Sequence, residues 1–224
     1  MKLTKHKGKG NILEVEVADA PDWYVNTVRR LLLTEVPVMA IETVEISKND
    51  SVLYDEIVAH RLGLVPLTTD IKGYVLPGKE EVDSQEYLAQ SSCKLTLEAK
   101  GPGVVYAREF VSNDPKVKPV FPDMPITKLL EGQELRLIAT AVLGTGRAHA
   151  KWSAGHSFFK RIPTSGAKTA HENSKDIAAD ASETDYLLRV EAWGQVPPAE
   201  MVEASLEAYT KQLKEFDTLL GSVQ

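Results

Sequence analysis

Over residues 11–17 apolar and polar positions alternate, with Leu13, Val15 and Val17 on one face. That period of two predicts a half-buried strand. The period then lengthens. Val25, Val28 and Leu32 stand at i, i+3 and i+7, one stripe of a helix, with Asp19 placed to cap it and Pro21 in its first turn. Pro37 ends this helix, because a residue before proline is driven out of the helical region. Residues 40–46 read as another strand. A second helix is expected over about 52–62, with Leu53 and Ile57 stacked at i, i+4. Gly63 suits a left-handed stop and Pro66 follows shortly.

From about residue 70 the texture changes. Short alternating runs at 94–98, 104–107 and 135–142 lie among glycine- and proline-rich turns. Pro115, Pro119, Pro122 and Pro125 make the stretch around them irregular. Residues 166–184 are small, polar and charged and read as a surface loop. Residues 186–191 return to a strand. The last helix, about 197–220, carries a seam of Val202, Leu206, Tyr209, Leu213, Phe216 and Leu220 at spacings of 4, 3, 4, 3 and 4. Such an a/d seam lets one helix meet another lengthwise, and packing on the chain's own sheet is the simpler use of it.

Composition narrows the classes. A chain of 224 residues, 43% hydrophobic, suits one or two globular domains. The formal charge of −6 argues against a free-standing nucleic-acid binder. No apolar run approaches the roughly 20 residues that span a bilayer. The start, MKLTKHKGKG, has no apolar stretch of a signal peptide, so the expected location is cytoplasmic. Lys2, Lys5, Lys7 and Lys9 read as a solvated terminus. Cys93 is the only cysteine, which rules out an intrachain disulfide and a thiolate-ligated zinc or iron–sulfur centre.

Candidate chemistry is sparse. Arg29 and Arg30 lie about 100° apart on their helix, so they cannot serve one surface in the same way. Glu56 and His60 stand at i, i+4, a spacing open to a metal, an acid–base pair or an ordinary helical hydrogen bond. No second histidine stands at a ligand spacing, which favours the hydrogen bond. Gly144-Thr145-Gly146-Arg147 is not a phosphate loop, because no G-K-[ST] follows.

The longer patterns are more specific. Asn26, Arg29 and Arg30 form N-x-x-R-R, then comes E-V-P at 35–37, then D-E-x-x-A-H-R-L-G-L-x-P-L-T from Asp55 to Thr68. Residues 146–153 read G-x-x-H-A-K-W-S, and a Gly194-Gln195 turn precedes the last helix. Together these resemble the family of the D-type, alpha-like subunit of archaeal DNA-directed RNA polymerase. That family includes the eukaryotic third-largest subunit and, more distantly, the bacterial alpha subunit.

The resemblance implies an α+β fold like the bacterial alpha N-terminal domain. A discontinuous dimerisation domain, residues 1–45 and 166–224, would hold an inserted β-rich domain, residues 46–165. It implies a non-catalytic assembly platform in transcription that pairs with the smaller alpha-like subunit L and docks the second-largest catalytic subunit. The small subunits N and P would lie nearby, DNA would be reached only through the complex, and no membrane or cofactor would be involved. Partner contacts are expected from Asn26, Arg29 and Arg30, from Asp55, Glu56, His60 and Arg61, from Arg147, His149, Lys151 and Trp152, and from the C-terminal seam. The rival readings are a metal-dependent hydrolase built on Glu56 and His60, and a DNA-binding regulator, which the acidic balance disfavours.

Overall fold

The computed structural model describes residues 2–163 and 181–222. Two compact units emerge: Met1–Val36, Gly155–Ala192 and Pro197–Gln224 form the first, Pro37–Ala154 and Trp193–Val196 the second. These compact units divide near 37 and 155. Backbone pairing sets them.

In the first unit four antiparallel strands run in the order β1 (Lys2–Lys9), β2 (Ile12–Ala18), β10 (Ala181–Ala192), β9 (Gly155–Pro163). Strand β9 belongs here because it pairs with β10 from Ala192↔Gly155 through Tyr186↔Arg161. Helices α1 (Asp22–Thr34) and α4 (Pro198–Gly221) pack with this sheet. Val15, Val17, Ala20, Val25 and Tyr186 form its core, with Leu13 and Phe159 against them. The Tyr186 ring is fully buried, meets Phe159 edge-on at 5.6 Å, and sends its hydroxyl to the Asp22 carboxylate.

Three expectations change in this unit. The basic N-terminus is an edge strand, not a free tail; Lys7 lies opposite Glu14 in the β1–β2 ladder. Its run of lysines has no apolar face, so periodicity could not reveal it. Asp19 does not cap α1: the N-cap is Pro21, and Asp19 turns at φ 54 with its N–H donated to Asp185 Oδ1 at 3.0 Å. Finally, residues 181–184 of the expected loop lie in β10, while 164–180 fall outside the described residues.

The second unit holds a sheet ordered β3 (Pro37–Asn49), β8 (Glu134–Thr145), β4 (Ser92–Lys100), β6 (Val111–Ser112). A smaller sheet pairs β5 (Gly103–Tyr106) with β7 (Pro125–Leu129). Strand β3 is longer than its apolar stretch suggested, because it pairs with β8 from Pro37↔Thr145 to Asn49↔Leu135. Helix α3 (Lys79–Ser84), unforeseen in the sequence, is clasped by Glu81, whose carboxylate accepts from Gly78 N, Leu88 N and Ser91 Oγ. Those hydrogen bonds, Ser91 foremost, hold the Glu81 carboxyl below its ordinary range.

Helix α2 is Asp55–Gly63. It starts later than expected because Asn49 organises the preceding turn: its Oδ1 accepts from Ser51 N at 3.0 Å, and its Nδ2 donates to Leu53 O at 2.9 Å and Asp55 Oδ1 at 2.7 Å. Leu53 is thereby excluded from the helix, and the Leu53–Ile57 stack does not form. Val58 and Leu62 make the buried face instead, each worth roughly 1.5–3 kcal/mol of apolar burial. Gly63 stays helical and Leu64 follows at φ −93, so no left-handed stop is used. Val58 and Leu62 join Ile41, Leu95, Leu97 and Leu137 in the main core.

Candidate partner-binding surfaces

On α1 the apolar stripe Val25, Val28, Leu31 and Leu32 is buried, which rotates the two arginines into different settings. Arg29 is half-buried and gripped by Asn26 Oδ1, through Nε at 3.1 Å and Nη2 at 2.9 Å. Arg30 is exposed, and its guanidinium has no partner among the described residues. Asn26 therefore orients Arg29, and Arg30 is the freely presented fork, suited to a bidentate carboxylate.

On α2 the motif residues face outward. Asp55, Glu56, His60 and Arg61 are exposed. Asp55 accepts from Asn49, and Arg61 Nη2 reaches the Pro125 carbonyl at 3.4 Å. The expected Glu56–His60 hydrogen bond is not formed. Among the described residues no three histidine, cysteine or carboxylate side chains gather as a metal site. Cys93 is buried, with Sγ at 2.9 Å from Asn113 Oδ1.

The stretch 146–153 divides in two. Trp152 is buried, donates Nε1–H to Val142 O at 3.0 Å and lies so close to Gly144 that a Cβ there would come within 2.4 Å of its ring. Lys151 turns inward, donates to Ile41 O at 3.0 Å, pairs with Glu42 and sits 4.4 Å over the Trp152 ring. These two side chains hold the turn in place and are not exposed for the partner contact that the resemblance implies. Arg147 and His149 remain exposed. His149 accepts from Lys151 N at 3.1 Å and meets Trp152 edge-on. Beside them lies a groove of about 530 Å³ lined by Glu42, Leu76, Val82, Tyr87, His149 and Trp152. Burial, with Glu42 and Glu81 nearby, pushes the Tyr87 phenol up.

On α4 the seam also divides. Met201 and Ser205 are the buried residues, Val202 and Tyr209 are half-buried, and Tyr209 meets Tyr24 of α1 edge-on at 6.4 Å. Beyond Tyr209 every large apolar side chain among the described residues is exposed, Leu213 by 49%, Phe216 by 59% and Leu220 by 51%. Leu206, at 37%, lies at the border, and Leu219, missed by the strict seam, is exposed by 65%. The first two turns thus satisfy the chain's own unit, and the rest offers an uncovered apolar stripe.

The family model of the RNA polymerase Rpb3/RpoA insert domain matches residues 44–166. DNA-directed RNA polymerase subunit Rpo3 of Methanothermobacter thermautotrophicus is 47% identical over 144 residues, 62% of this chain and 54% of the relative. Rpo3 of Pyrococcus furiosus is 47% identical over 137 residues, 61% and 50% of the two chains. Rpo3 of Methanosphaera stadtmanae is 40% identical over 156 residues, 65% and 57%. The chain spans about half the length of the curated relatives it matches. Its helices and antiparallel sheets form the α+β fold of the bacterial alpha N-terminal kind. With more than half of its residues inside the matched domain, the chain belongs to the RNA polymerase Rpb3/RpoA insert-domain family.

Proposed function

We propose that this chain is an assembly subunit of DNA-directed RNA polymerase, acting in transcription and supplying no catalytic group itself. The observation that carries the reading is the uncovered stripe of α4, Leu213, Phe216, Leu219 and Leu220 on a helix already anchored by Met201 and Ser205. An exposed apolar stripe on a rigid helix is the form of an obligate partner surface. Its occupant in this reading is the smaller alpha-like subunit L.

Arg30, Arg29 as positioned by Asn26, and the outward residues of α2 then serve the second-largest catalytic subunit. In this reading Arg147 and His149 make a further partner contact of the second unit, and subunits N and P lie nearby in the complex. DNA is met through the complex alone. A single cysteine leaves no ligand set for an iron–sulfur or zinc centre. Among the described residues no helix is long and apolar enough to cross a membrane. The complex is read as cytoplasmic.

Co-expression with the polymerase subunits tests the reading. The expected product is a one-to-one complex with the small alpha-like chain, which then retains the second-largest subunit. The isolated chain should show neither nucleotide transfer nor bound metal. Failure to hold any polymerase subunit, or about one iron or zinc per chain, would overturn it.

A further inference from the structure

The second unit carries a groove of about 370 Å³ whose lining comes from three separate segments: Val52 before α2, Arg61 on α2, Val104 on β5, and Ile126, Thr127 and Lys128 on β7. Its chemistry is asymmetric. Val52 is 84% exposed and Val104 38%, so the wall is apolar and open. Two cations stand beside it without a carboxylate. Arg61 reaches only the Pro125 carbonyl, and Lys128 forms no ion pair among the described residues. Thr127 is 5% exposed, and its hydroxyl has no hydrogen-bond partner among the described residues.

We infer that this groove docks an extended segment of a neighbouring polymerase subunit, one that carries an aspartate or glutamate beside an apolar residue. The inference rests on the assembly reading above and names a contact of its α2 face. The apolar side chain would lie against Val52 and Val104. The carboxylate would lie between Arg61 and Lys128. Charge-assisted hydrogen bonds at an apolar wall are the strong, orienting kind. Nucleic acid fits less well, because two cations on an apolar wall do not track a phosphate backbone.

The test places the photo-crosslinker p-benzoylphenylalanine at Val104, and separately at Val52, in the chain purified with its polymerase partners. Irradiation and peptide mapping should join both positions to one partner segment. That segment should hold an Asp or Glu within about three residues, some 10 Å of extended chain. The double change Arg61→Glu and Lys128→Glu should lower the crosslink yield roughly tenfold, the weight of one good charge-assisted contact, while the α4 partner stays bound. Crosslinks to a second copy of this chain, to nucleic acid or to a segment without a carboxylate would overturn the groove assignment. So would no crosslink in a complex that retains its subunits, or a yield indifferent to charge reversal. If no polymerase subunit co-purifies, the assembly reading itself falls, and this inference with it.

Discussion

Leu213→Asp separates folding from pairing, because Leu213 is 49% exposed in the chain alone. A carboxylate there keeps its water while the chain is unpaired. The costs to the isolated chain are small: a few tenths of a kcal/mol for helix propensity, and about as much for repulsion from Asp217 four residues on. The isolated variant should therefore stay folded. Pairing through the seam changes the balance. Covering the remaining half of the leucine is worth about 1 kcal/mol, and burying an unpaired carboxylate costs about 3 kcal/mol or more. The sum, about 4 kcal/mol, is roughly a thousandfold in Kd.

Calorimetric titration of the variant with the small alpha-like subunit measures this, with circular dichroism confirming the helix. Lys211→Asp is the control. Lys211 is exposed and pairs only loosely with Glu215, at 4.0 Å, so its loss costs under about 0.5 kcal/mol. It changes the net charge by more than Leu213→Asp does, so a general charge effect would weaken the control further. A folded Leu213→Asp variant that pairs within about threefold of the parent would show that the seam is not the interface. The contact would then belong to α1 and its neighbouring strands.

Gly144→Ala should lower stability by about 1–3 kcal/mol through overpacking, since the new Cβ would lie 2.4 Å from a Trp152 ring tied to Val142 O; an unchanged melting temperature and Trp fluorescence would refute the packing argument. Arg30→Ala should leave the melting temperature nearly unchanged, because Arg30 is exposed. With Arg29→Ala added, recovery of the second-largest subunit should fall, at about 2–5 kcal/mol for a lost interfacial charge partner; full recovery would make both arginines ordinary surface residues. The Tyr74 hydroxyl, at 2.6 Å, followed by the Lys116 backbone N–H, holds the Asp114 carboxyl below its ordinary range. A lowered folded pKa stabilises the fold above the ordinary value of 3.8 and the gain is lost as pH falls through the folded value. Asp114→Asn should therefore flatten the acid limb of a stability–pH curve, and an unaltered slope would refute the linkage.

Local periodicity carried much of the fold into the sequence. Strand β2, helix α1 and helix α4 were legible because each buries one face, and a buried face imposes a period of two or 3.6. Strand β1 was not, since its run of lysines needs no period, and its place comes from the ladder with β2. Helix α3 is short and has no buried residue, so only the Glu81 clasp marks it. The start of α2 depended on the side chain of Asn49, which no hydrophobic pattern encodes.

The site divides in the same way. Ordered motifs carried the family resemblance, and the seam spacing marked α4 as a helix with an apolar face. Which residues of those motifs remain available was decided by packing between distant segments. Lys151 and Trp152 are drawn inward by Glu42, Ile41 and Val142, leaving Arg147 and His149 outside. Asn26 holds Arg29 and leaves Arg30 without a guanidinium partner among the described residues. Met201 and Ser205 rotate α4 so that Leu213 and Phe216 point away from the chain's own core. The groove of Val52, Val104 and Lys128 has no sequence signature, because its walls are far apart along the chain and become neighbours only when α2 and the β5–β7 sheet are in place. Composition and spacing report what a residue can do, whereas burial and pairing across the chain determine which of those capacities stays exposed.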